Sequence, residues 1–242
     1  MTDQKIQPPS PGAQDSAKII RAIIGFTVYL LLTPVLLFVS AGTMNWPMGW
    51  AYVIMGWVAV VVSRLVSLLR HPDLLRERAA AGGEGAADWD RVLVPLVAFL
   101  APMIIAVVAG LDHRYGWSTP LSPVVQYVAA FLVFVGYGVS VWAMAVNRFF
   151  SAVARVQKDR GQTVVTSGPY GIVRHPSYAG GMLAALAAPF MLSALWALLP
   201  SLLFLVPLIV RTAFEDRLLI SDLEGYEEYV QRIRYRLIPG IW

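Results

Sequence analysis

The most chemically informative part of the sequence is residues 147–178, which read NRFFSAVARVQKDRGQTVVTSGPYGIVRHPSY. This segment is too long and too patterned for a simple connector. Residues 162–165 could form a short extended piece, and Ser177 could be the N-cap of the following helix. Such an arrangement leaves free backbone N–H groups beside Arg174 and His175, which suits a carboxylate or another anionic ligand group. The alternative is an interfacial loop in which the arginine reaches toward water and the tyrosine anchors the chain.

A second group of polar residues consists of Arg211, Glu215 and Asp216. Arg211 and Glu215 are one helical turn apart and therefore face the same way. Such a pair at a membrane surface is commonly an ordinary ion pair worth about 0.3–0.5 kcal/mol. The acidic pair could instead receive a cationic ligand group, because acidic residues are otherwise scarce at the ends of the apolar segments.

Several kinds of site are excluded by the composition. The chain has no cysteine, so a disulfide framework, a zinc-thiolate site and a cysteine nucleophile are impossible. The spacing of His71, His113 and His175 does not form a metal site, and we expect no metal. A hydrolase of the Ser-His-Asp kind would need an acid near His175, for which Asp159 is the nearest candidate along the sequence. The net charge of +4 does not indicate nucleic-acid binding, since the basic residues lie between long apolar runs.

These polar segments separate apolar runs that predict an all-α polytopic membrane protein. Of the 242 residues, 57% are hydrophobic and 14% are charged, which is too apolar for a soluble domain of this size. Four runs are each about one bilayer thick: residues 19–39, 48–69, 92–111 and 124–146. The stretch 178–210, interrupted by Pro189 and Pro200, predicts a helical hairpin that turns near residues 191–195 and need not reach the far surface. The total is five to six membrane-embedded helices.

The sequence therefore divides into three parts. Residues 1–17 are expected to be a flexible tail, residues 18–146 to contain four transmembrane helices, and residues 147–242 to carry any catalytic site. The last part contains the polar segment, the hairpin and an amphipathic tail, in which Tyr226 and Tyr229 are expected to lie on the membrane surface.

The distribution of basic residues predicts the orientation. Loops 70–91 and 147–176 carry four arginines and five basic residues, and five arginines follow residue 210, whereas loop 42–47 has none and loop 112–123 has only Arg114. Because basic residues are retained in the cytoplasm, both termini are expected there. The chemistry then faces the cytoplasm, at a bacterial inner membrane or its equivalent.

Three motifs together resemble the isoprenylcysteine carboxyl methyltransferases and the related phospholipid methyltransferases. They are Gly168-Pro169-Tyr170, Val173-Arg174-His175-Pro176-Ser177-Tyr178-x-Gly180 and Arg211-x-x-x-Glu215-Asp216-x-x-Leu219. This family is integral to the membrane and transfers a methyl group from S-adenosylmethionine, bound at the cytoplasmic face and not in a Rossmann domain. The resemblance covers residues 147–242 and matches the first half of the chain only loosely.

The resemblance also implies roles for individual residues. Arg211 would address the substrate, and Arg211 and His175 would be the catalytic residues. The cofactor would contact Gln157, Gln162, Thr163, Val164, Val165, Tyr170, His175, Pro176, Ser177, Tyr178 and Glu215. Chemically, Glu215 could pair with the cofactor's ammonium group and His175 could take its carboxylate. An acceptor carboxylate needs only a cation to hold it, for which Arg211 is the candidate, whereas an amine or thiol also needs a base.

The acceptor is left open by this resemblance, because the matching residues lie in the cofactor half. We expect a lipidic or small hydrophobic acceptor that enters from the bilayer. Carboxylate O-methylation of the isoprenylcysteine type, phospholipid N-methylation and thiol S-methylation are the alternatives within this chemistry. A rival class is an NADPH-dependent reductase, since the ending that includes Tyr226, Tyr229 and residues 235–242 looks like that of membrane sterol reductases.

Overall fold

The computed structural model describes residues 27–28, 30–71 and 87–242. The expected flexible tail of residues 1–17, the start of the first apolar run and the basic loop around residues 72–86 lie outside the described ranges. Within those ranges the chain is helical and contains no β-strand.

Seven helices are described, and their bounds are close to the predicted apolar runs. They are α1 (Leu30–Ala41), α2 (Pro47–Arg70), α3 (Asp90–Tyr115), α4 (Pro123–Val146), α5 (Pro176–Met191), α6 (Leu198–Asp222) and α7 (Tyr226–Arg232). Four helices of the described chain are long and apolar enough to cross a membrane: α2, α3, α4 and the helix Leu195–Asp222 that contains α6. Only 17–33% of each apolar window is buried inside the protein, as expected for helices whose outer faces contact lipid.

Helix α3 contains a π-helical turn at Leu96–Leu100, flanked by Pro95 and Pro102. Pro102 has no N–H to donate to the carbonyl of Ala98, so the regular α-helical pattern cannot continue through this point. Single π-helical turns are frequent at functional sites. The turn faces the two cavities described below.

Helices α4 and α5 run antiparallel and pack closely through small residues. A Cβ atom built on Gly180 would lie 2.4 Å from the carbonyl oxygen of Gly136 and 2.6 Å from Oγ of Ser140. The Ser140 hydroxyl also donates to the carbonyl oxygen of Ser177 at 3.0 Å. This contact fixes the start of α5, which carries His175 and Tyr178.

The predicted hairpin is present, with its turn between α5 and the 3-10 helix Leu195–Ala197. The turn is fastened by the buried carboxylate of Asp112, which accepts hydrogen bonds from the Ser118 hydroxyl at 2.6 Å and the Trp196 N–H at 3.0 Å. The Ser193 hydroxyl accepts from the N–H of Leu121 at 2.8 Å. The hairpin turn is therefore attached to the loop between α3 and α4, at the end of the protein opposite the polar segment.

Helix α5 does not begin where the sequence suggested. It begins at Pro176, His175 occupies the N-cap position without a side-chain cap, and Ser177 is already inside the first turn. The assignment of Ser177 as the N-cap was wrong because proline, with its fixed φ, suits the first helical position. Residues 162–165 lie in an irregular connection with no strand partner in the described chain.

The C-terminal tail forms a short helix, α7, but its tyrosines do not face the membrane. Tyr226 and Tyr229 are buried and pack with Leu223 against Val164 and Leu219. These two side chains therefore do not form a membrane-facing side of the seven-residue helix, and the expectation that the tail as a whole lies on the membrane stays a prediction.

We expect Gly180→Ala to destabilise the protein, since the added methyl group meets backbone atoms of α4 that cannot move aside. Overpacking of this kind costs about 1–3 kcal/mol. The neighbouring Gly181→Ala is the control, because its Cβ has nothing within 4 Å and alanine favours a helix. Thermal unfolding in detergent, followed by tryptophan fluorescence, compares the two. Equal midpoints would contradict the close α4–α5 contact.

Candidate functional site

The polar segment covers a cavity of about 390 Å³ bordered by α3, α5, α6 and α7. All but one of the residues expected to contact the cofactor or the substrate line it, although they come from separate parts of the chain. Those in the lining are Gln162, Thr163, Val164, Val165, Tyr170, Arg174, His175, Pro176, Ser177, Tyr178, Arg211 and Glu215. The lining also contains residues that sequence reasoning missed, among them Asn147, Phe150, Tyr226 and Tyr229.

One wall of the cavity is organised by Asp216, whose side chain is fully buried. The guanidinium group of Arg174 donates to both carboxylate oxygens, at 2.8 and 2.9 Å. Arg236 donates to Oδ2 at 2.9 Å and the Tyr226 hydroxyl to Oδ1 at 3.0 Å. Nε2 of His175 lies 3.3 Å from Oδ1. The carboxylate is thus surrounded by donors, which a buried charge requires.

The acid beside His175 is therefore Asp216 and not Asp159. Asp159 is exposed and pairs with Arg155 at 3.3 Å. The sequence suggested that Asp216 and Glu215 together bind a cationic ligand group. In the structure the carboxylate of Asp216 forms an ion pair with Arg174 instead. Asp159 is closer to His175 in the sequence, but Asp216, which is 41 positions away, is the acid that contacts it.

The C-terminal tail accepts hydrogen bonds from the backbone N–H groups of Arg174 and His175. The N–H of Arg174 donates to the carbonyl of Tyr235 at 3.0 Å, and that of His175 to the carbonyl of Arg236 at 2.9 Å. The free N–H groups were expected beside these two residues, at the start of α5, and not on the residues themselves. The N–H of Ser177, in contrast, makes no hydrogen bond within the described residues.

The opposite wall carries a chain of hydrogen bonds through four side chains. Nε of Arg211 donates to Asp90 at 2.7 Å, and its Nη1 donates to the Tyr178 hydroxyl. That hydroxyl in turn donates to Oε2 of Glu215. The Tyr178 ring also lies parallel to the His175 ring, with centroids 5.7 Å apart. Arg211 and Glu215 are therefore linked through Tyr178 and not as the simple ion pair that their spacing suggested.

Two tyrosines shape the outer part of the cavity. The Tyr229 hydroxyl donates to the backbone carbonyl of Tyr170 at 2.7 Å, and the Asn147 side chain donates to the Tyr170 hydroxyl at 3.1 Å. Burial raises the pKa of both tyrosines above the ordinary value, since an apolar environment disfavours the phenolate. Both hydroxyls therefore stay protonated over the physiological pH range.

Gln157 is the one predicted cofactor residue that does not line the cavity. Its fully buried side chain donates to the carbonyl of Phe149 at 2.7 Å and accepts a hydrogen bond from Arg160. Its backbone N–H donates to the side chain of Gln162 at 2.6 Å. The structure thus uses Gln157 to shape the polar segment.

A second cavity, of about 450 Å³, lies within the helix bundle. Its lining is mostly apolar and comes from α1 to α6, including Val53, Ile105 and Leu208. Ala98, Phe150, Ser177 and Tyr178 line both cavities. The two spaces therefore meet at Tyr178, beside the π-helical turn of α3.

Metal chemistry has no visible basis in the described part of the chain. No group of three or more histidine, aspartate or glutamate side chains there is arranged to hold a metal ion. Nε2 of His71 donates to the carbonyl oxygen of Ala145 at 3.1 Å, and His113 stacks on Trp46 at 4.0 Å between centroids. Neither of these two histidines lines the first cavity.

Comparison with known families identifies the region that carries the site. Residues 124–222 match the family model of the phospholipid methyltransferases. The resemblance drawn from the motifs is thereby confirmed. Four apolar helices of the described chain and this match fit an integral membrane protein. The matched region runs from α4 through α6 and includes every motif residue named above, but it does not reach Asp90 or α7.

Two curated proteins have partial similarity to the chain. The Delta(14)-sterol reductase of Mus musculus is 34% identical over 85 residues, which is 34% of this chain and 20% of the reductase. The cobalt-zinc-cadmium resistance protein CzcN of Cupriavidus metallidurans is 37% identical over 78 residues, or 30% of this chain and 34% of that protein. The matches thus span about a fifth to a third of these relatives.

We expect Asp216→Ala to lower the free energy of unfolding by about 3–5 kcal/mol, because it leaves Arg174 buried without a counter-charge. Asp159→Ala, which removes an exposed partner of Arg155, is expected to change it by about 0.5 kcal/mol or less. Denaturant unfolding in detergent micelles measures both. If the two variants lose equal stability, Asp216 does not hold this wall together.

Proposed function

We propose that the protein transfers a methyl group from S-adenosylmethionine to a hydrophobic acceptor. The observation that carries this proposal is the junction of a polar and an apolar cavity at Tyr178, inside the region that matches the methyltransferase family. A polar cavity lined by charged side chains suits the methyl donor, which is itself charged. An apolar cavity within the bundle suits an acceptor that partitions into lipid.

The polar cavity has the size and chemistry that this cofactor requires. Its volume of about 390 Å³ falls in the usual range for small-molecule sites, ~300–1,000 Å³. Oε1 of Glu215 has no hydrogen-bond partner within the described residues, although Oε2 is held by Tyr178. That oxygen would bind the ammonium group. The N–H of Ser177, at the first turn of α5, would bind the carboxylate together with His175.

Apolar side chains of the same cavity would cover the adenosine. Val164 and Val165 approach from the polar segment, and Leu219 and Leu223 from α6 and its C-terminal end. When bound, S-adenosylmethionine supplies a methyl group activated on a sulfonium. The residues of this chain align the two reactants and exclude water, which is the main requirement of an in-line displacement.

Helix α5 explains how a water-soluble cofactor could meet a lipidic acceptor. It has 16 residues and is therefore about 24 Å long at 1.5 Å per residue, less than the ~30 Å of hydrocarbon. Its N-terminal end, with Ser177 and Tyr178, lies beside Ser140 and not at the end of α4. The junction is thus recessed from the end of the bundle. The clustering of basic residues supports a cytoplasmic opening and cytoplasmic termini.

The role of Arg211 as a holder of an acceptor carboxylate stays a prediction. Within methyl transfer, carboxylate, amine and thiol acceptors differ in the charge that they bring to the junction. The second candidate function is an NADPH-dependent reductase, supported by the partial similarity to the sterol reductase. The two candidates differ in their cofactor, so a binding experiment separates them.

We expect S-adenosylhomocysteine, but not NADPH, to bind the purified protein in lipid nanodiscs with micromolar affinity. Isothermal titration calorimetry measures both ligands. Binding of NADPH alone would replace the methyltransferase proposal with the reductase, and binding of neither would remove both.

The position of the ammonium group is tested by Glu215→Gln. This substitution keeps the shape of the side chain but removes its charge, so the Kd for S-adenosylhomocysteine should rise about tenfold or more, as for loss of a charged hydrogen bond. Glu224→Gln is the matched control, because Glu224 is exposed and lies outside the cavity lining. A normal Kd for Glu215→Gln would contradict the assignment.

The acceptor cavity is tested by Gly181→Phe. A side chain at Gly181 enters open space in the apolar cavity, so methyl transfer to hydrophobic acceptors should fall while S-adenosylhomocysteine binding remains. Gly138→Phe is the control, since Gly138 is exposed on α4, has nothing within 4 Å of its Cβ and lines neither cavity. Equal turnover in the two variants would place the acceptor elsewhere.

A further inference from the structure

The tail that follows α7 presents apolar side chains that are fixed in place but not covered. The N–H groups of residues 236–238 all donate to a backbone oxygen of Trp242, at 2.9–3.1 Å, and the Arg236 guanidinium lies over the Trp242 ring at 5.0 Å. These contacts close residues 236–242 into a compact turn. They leave Ile241 76% exposed, and the other exposed large apolar side chains of the tail are Tyr235 and Ile238. Exposed apolar side chains grouped in this way mark an interaction site.

The same part of the tail is positively charged. Arg232 and Arg234 are exposed, and neither has an acidic partner among the described residues. Residues 232–242 contain no aspartate or glutamate, and their third arginine, Arg236, is neutralised by Asp216. We call the exposed side chains of residues 232–242 the tail surface. The exposed acidic residues of this region come before it, at the start of α7 or earlier: Asp222, Glu224, Glu227 and Glu228.

The register of α4 and α5 places the tail surface at the level of the membrane–water interface. Ser140 of α4 meets Ser177 of α5 through a hydrogen bond, and the helices are antiparallel, so His175 lies near the level of Trp142. Trp142 is 48% exposed, and tryptophans that face lipid concentrate at the interface. The tail pairs with residues 174–175 and therefore lies at the same level. This level favours lipid head groups over a soluble protein as the covering partner.

The tail also forms part of the cavity wall that is built around Asp216. The carbonyl groups of residues 233–236 accept four hydrogen bonds from the start of α5 and the residue before it. Two come from the backbone N–H groups of Arg174 and His175, at 3.0 and 2.9 Å, and two from the Arg174 guanidinium, both at 2.9 Å. The wall that carries His175 therefore keeps its shape only while the tail stays in place.

We infer that the tail surface binds anionic phospholipid head groups, and that this contact holds the wall around Asp216 in the shape that receives the cofactor. Arg232 and Arg234 pair with phosphate oxygens, while Ile238 and Ile241 enter the boundary between head groups and acyl chains. Each arginine near an anionic surface strengthens the association by about fivefold, and salt screens this contribution. The effect on the cofactor rests on the proposed methyl transfer, whereas the lipid contact does not depend on it.

The lipid contact is tested with a single fluorescent label, since the chain has no cysteine of its own. Ile241→Cys and Glu228→Cys each receive the dye NBD, and the protein is placed in nanodiscs of phosphatidylcholine and phosphatidylglycerol in equal parts. A spin label on the lipid head groups quenches a dye that lies close to it. Quenching at position 241 should exceed that at position 228 by about twofold or more. Quenching at 241 that does not exceed that at 228 would overturn the lipid contact and leave a protein as the occupant.

The effect on the cofactor is tested by calorimetric titration of S-adenosylhomocysteine into nanodiscs with and without phosphatidylglycerol. The Kd of the wild type should be about fivefold lower in the anionic lipid. The double variant Arg232→Gln, Arg234→Gln should lose this difference and keep the wild-type Kd in phosphatidylcholine alone. The matched control is Glu227→Gln, Glu228→Gln, which changes the same number of charges with the opposite sign and should keep the difference. A difference that persists without the two arginines would overturn their role.

Salt gives a second check that needs no variant. Raising NaCl to ~1 M shortens the Debye length to about 3 Å and should remove the difference in Kd between the two lipids. A wild-type Kd that is independent of lipid charge at low salt would overturn the effect on the cofactor. Failure of S-adenosylhomocysteine to bind in either lipid would instead overturn the proposed function, and the quenching result then decides the lipid contact by itself.

Discussion

The buried arginines of this protein constrain the rest of its structure, because a guanidinium group cannot leave water without a counter-charge. Arg174 is neutralised by Asp216, and Arg211 by Asp90. Neither partner is near its arginine in the sequence, so each pair forms only when separate parts of the chain come together. Pairing of Arg174 brings the polar segment to α6 and the C-terminal tail. Pairing of Arg211 brings α6 to the start of α3.

The Arg174–Asp216 and Arg211–Asp90 pairs lie on either side of Tyr178 and have different roles in the site. The Asp216 cluster is satisfied by protein groups and fixes the backbone of the tail against residues 174–175. The Asp90 pair leaves one link of its chain incomplete, at Oε1 of Glu215. Rigid support on one side and an unmet acceptor on the other are what a binding site needs, since a ligand then gains contacts without first reorganising the protein.

Much of the fold could be predicted from the sequence, because each spanning helix is a continuous apolar run between polar loops. The helix bounds of α2 and α4 and the position of the hairpin turn followed from that pattern. The residues expected to contact the cofactor also converge on one cavity, with Gln157 as the exception. What the sequence did not indicate was pairing over distance: Asp90 and Arg211 are separated by 121 positions. Local reasoning therefore assigned Asp159 to His175 and left Asp90 without a role.

The contact between Gly136 and Gly180 also determines which parts of the bundle can move. Since not even a methyl group fits between α4 and α5 there, these helices cannot slide or rotate past one another without a clash of backbone atoms. They form a fixed frame for the reacting centre. Helix α3, with its π-helical turn and two prolines, lacks such a lock at the junction. The frame that carries Tyr178 is therefore fixed, and the π-helical turn of α3 is the part of the facing wall that no such contact holds among the described glycines.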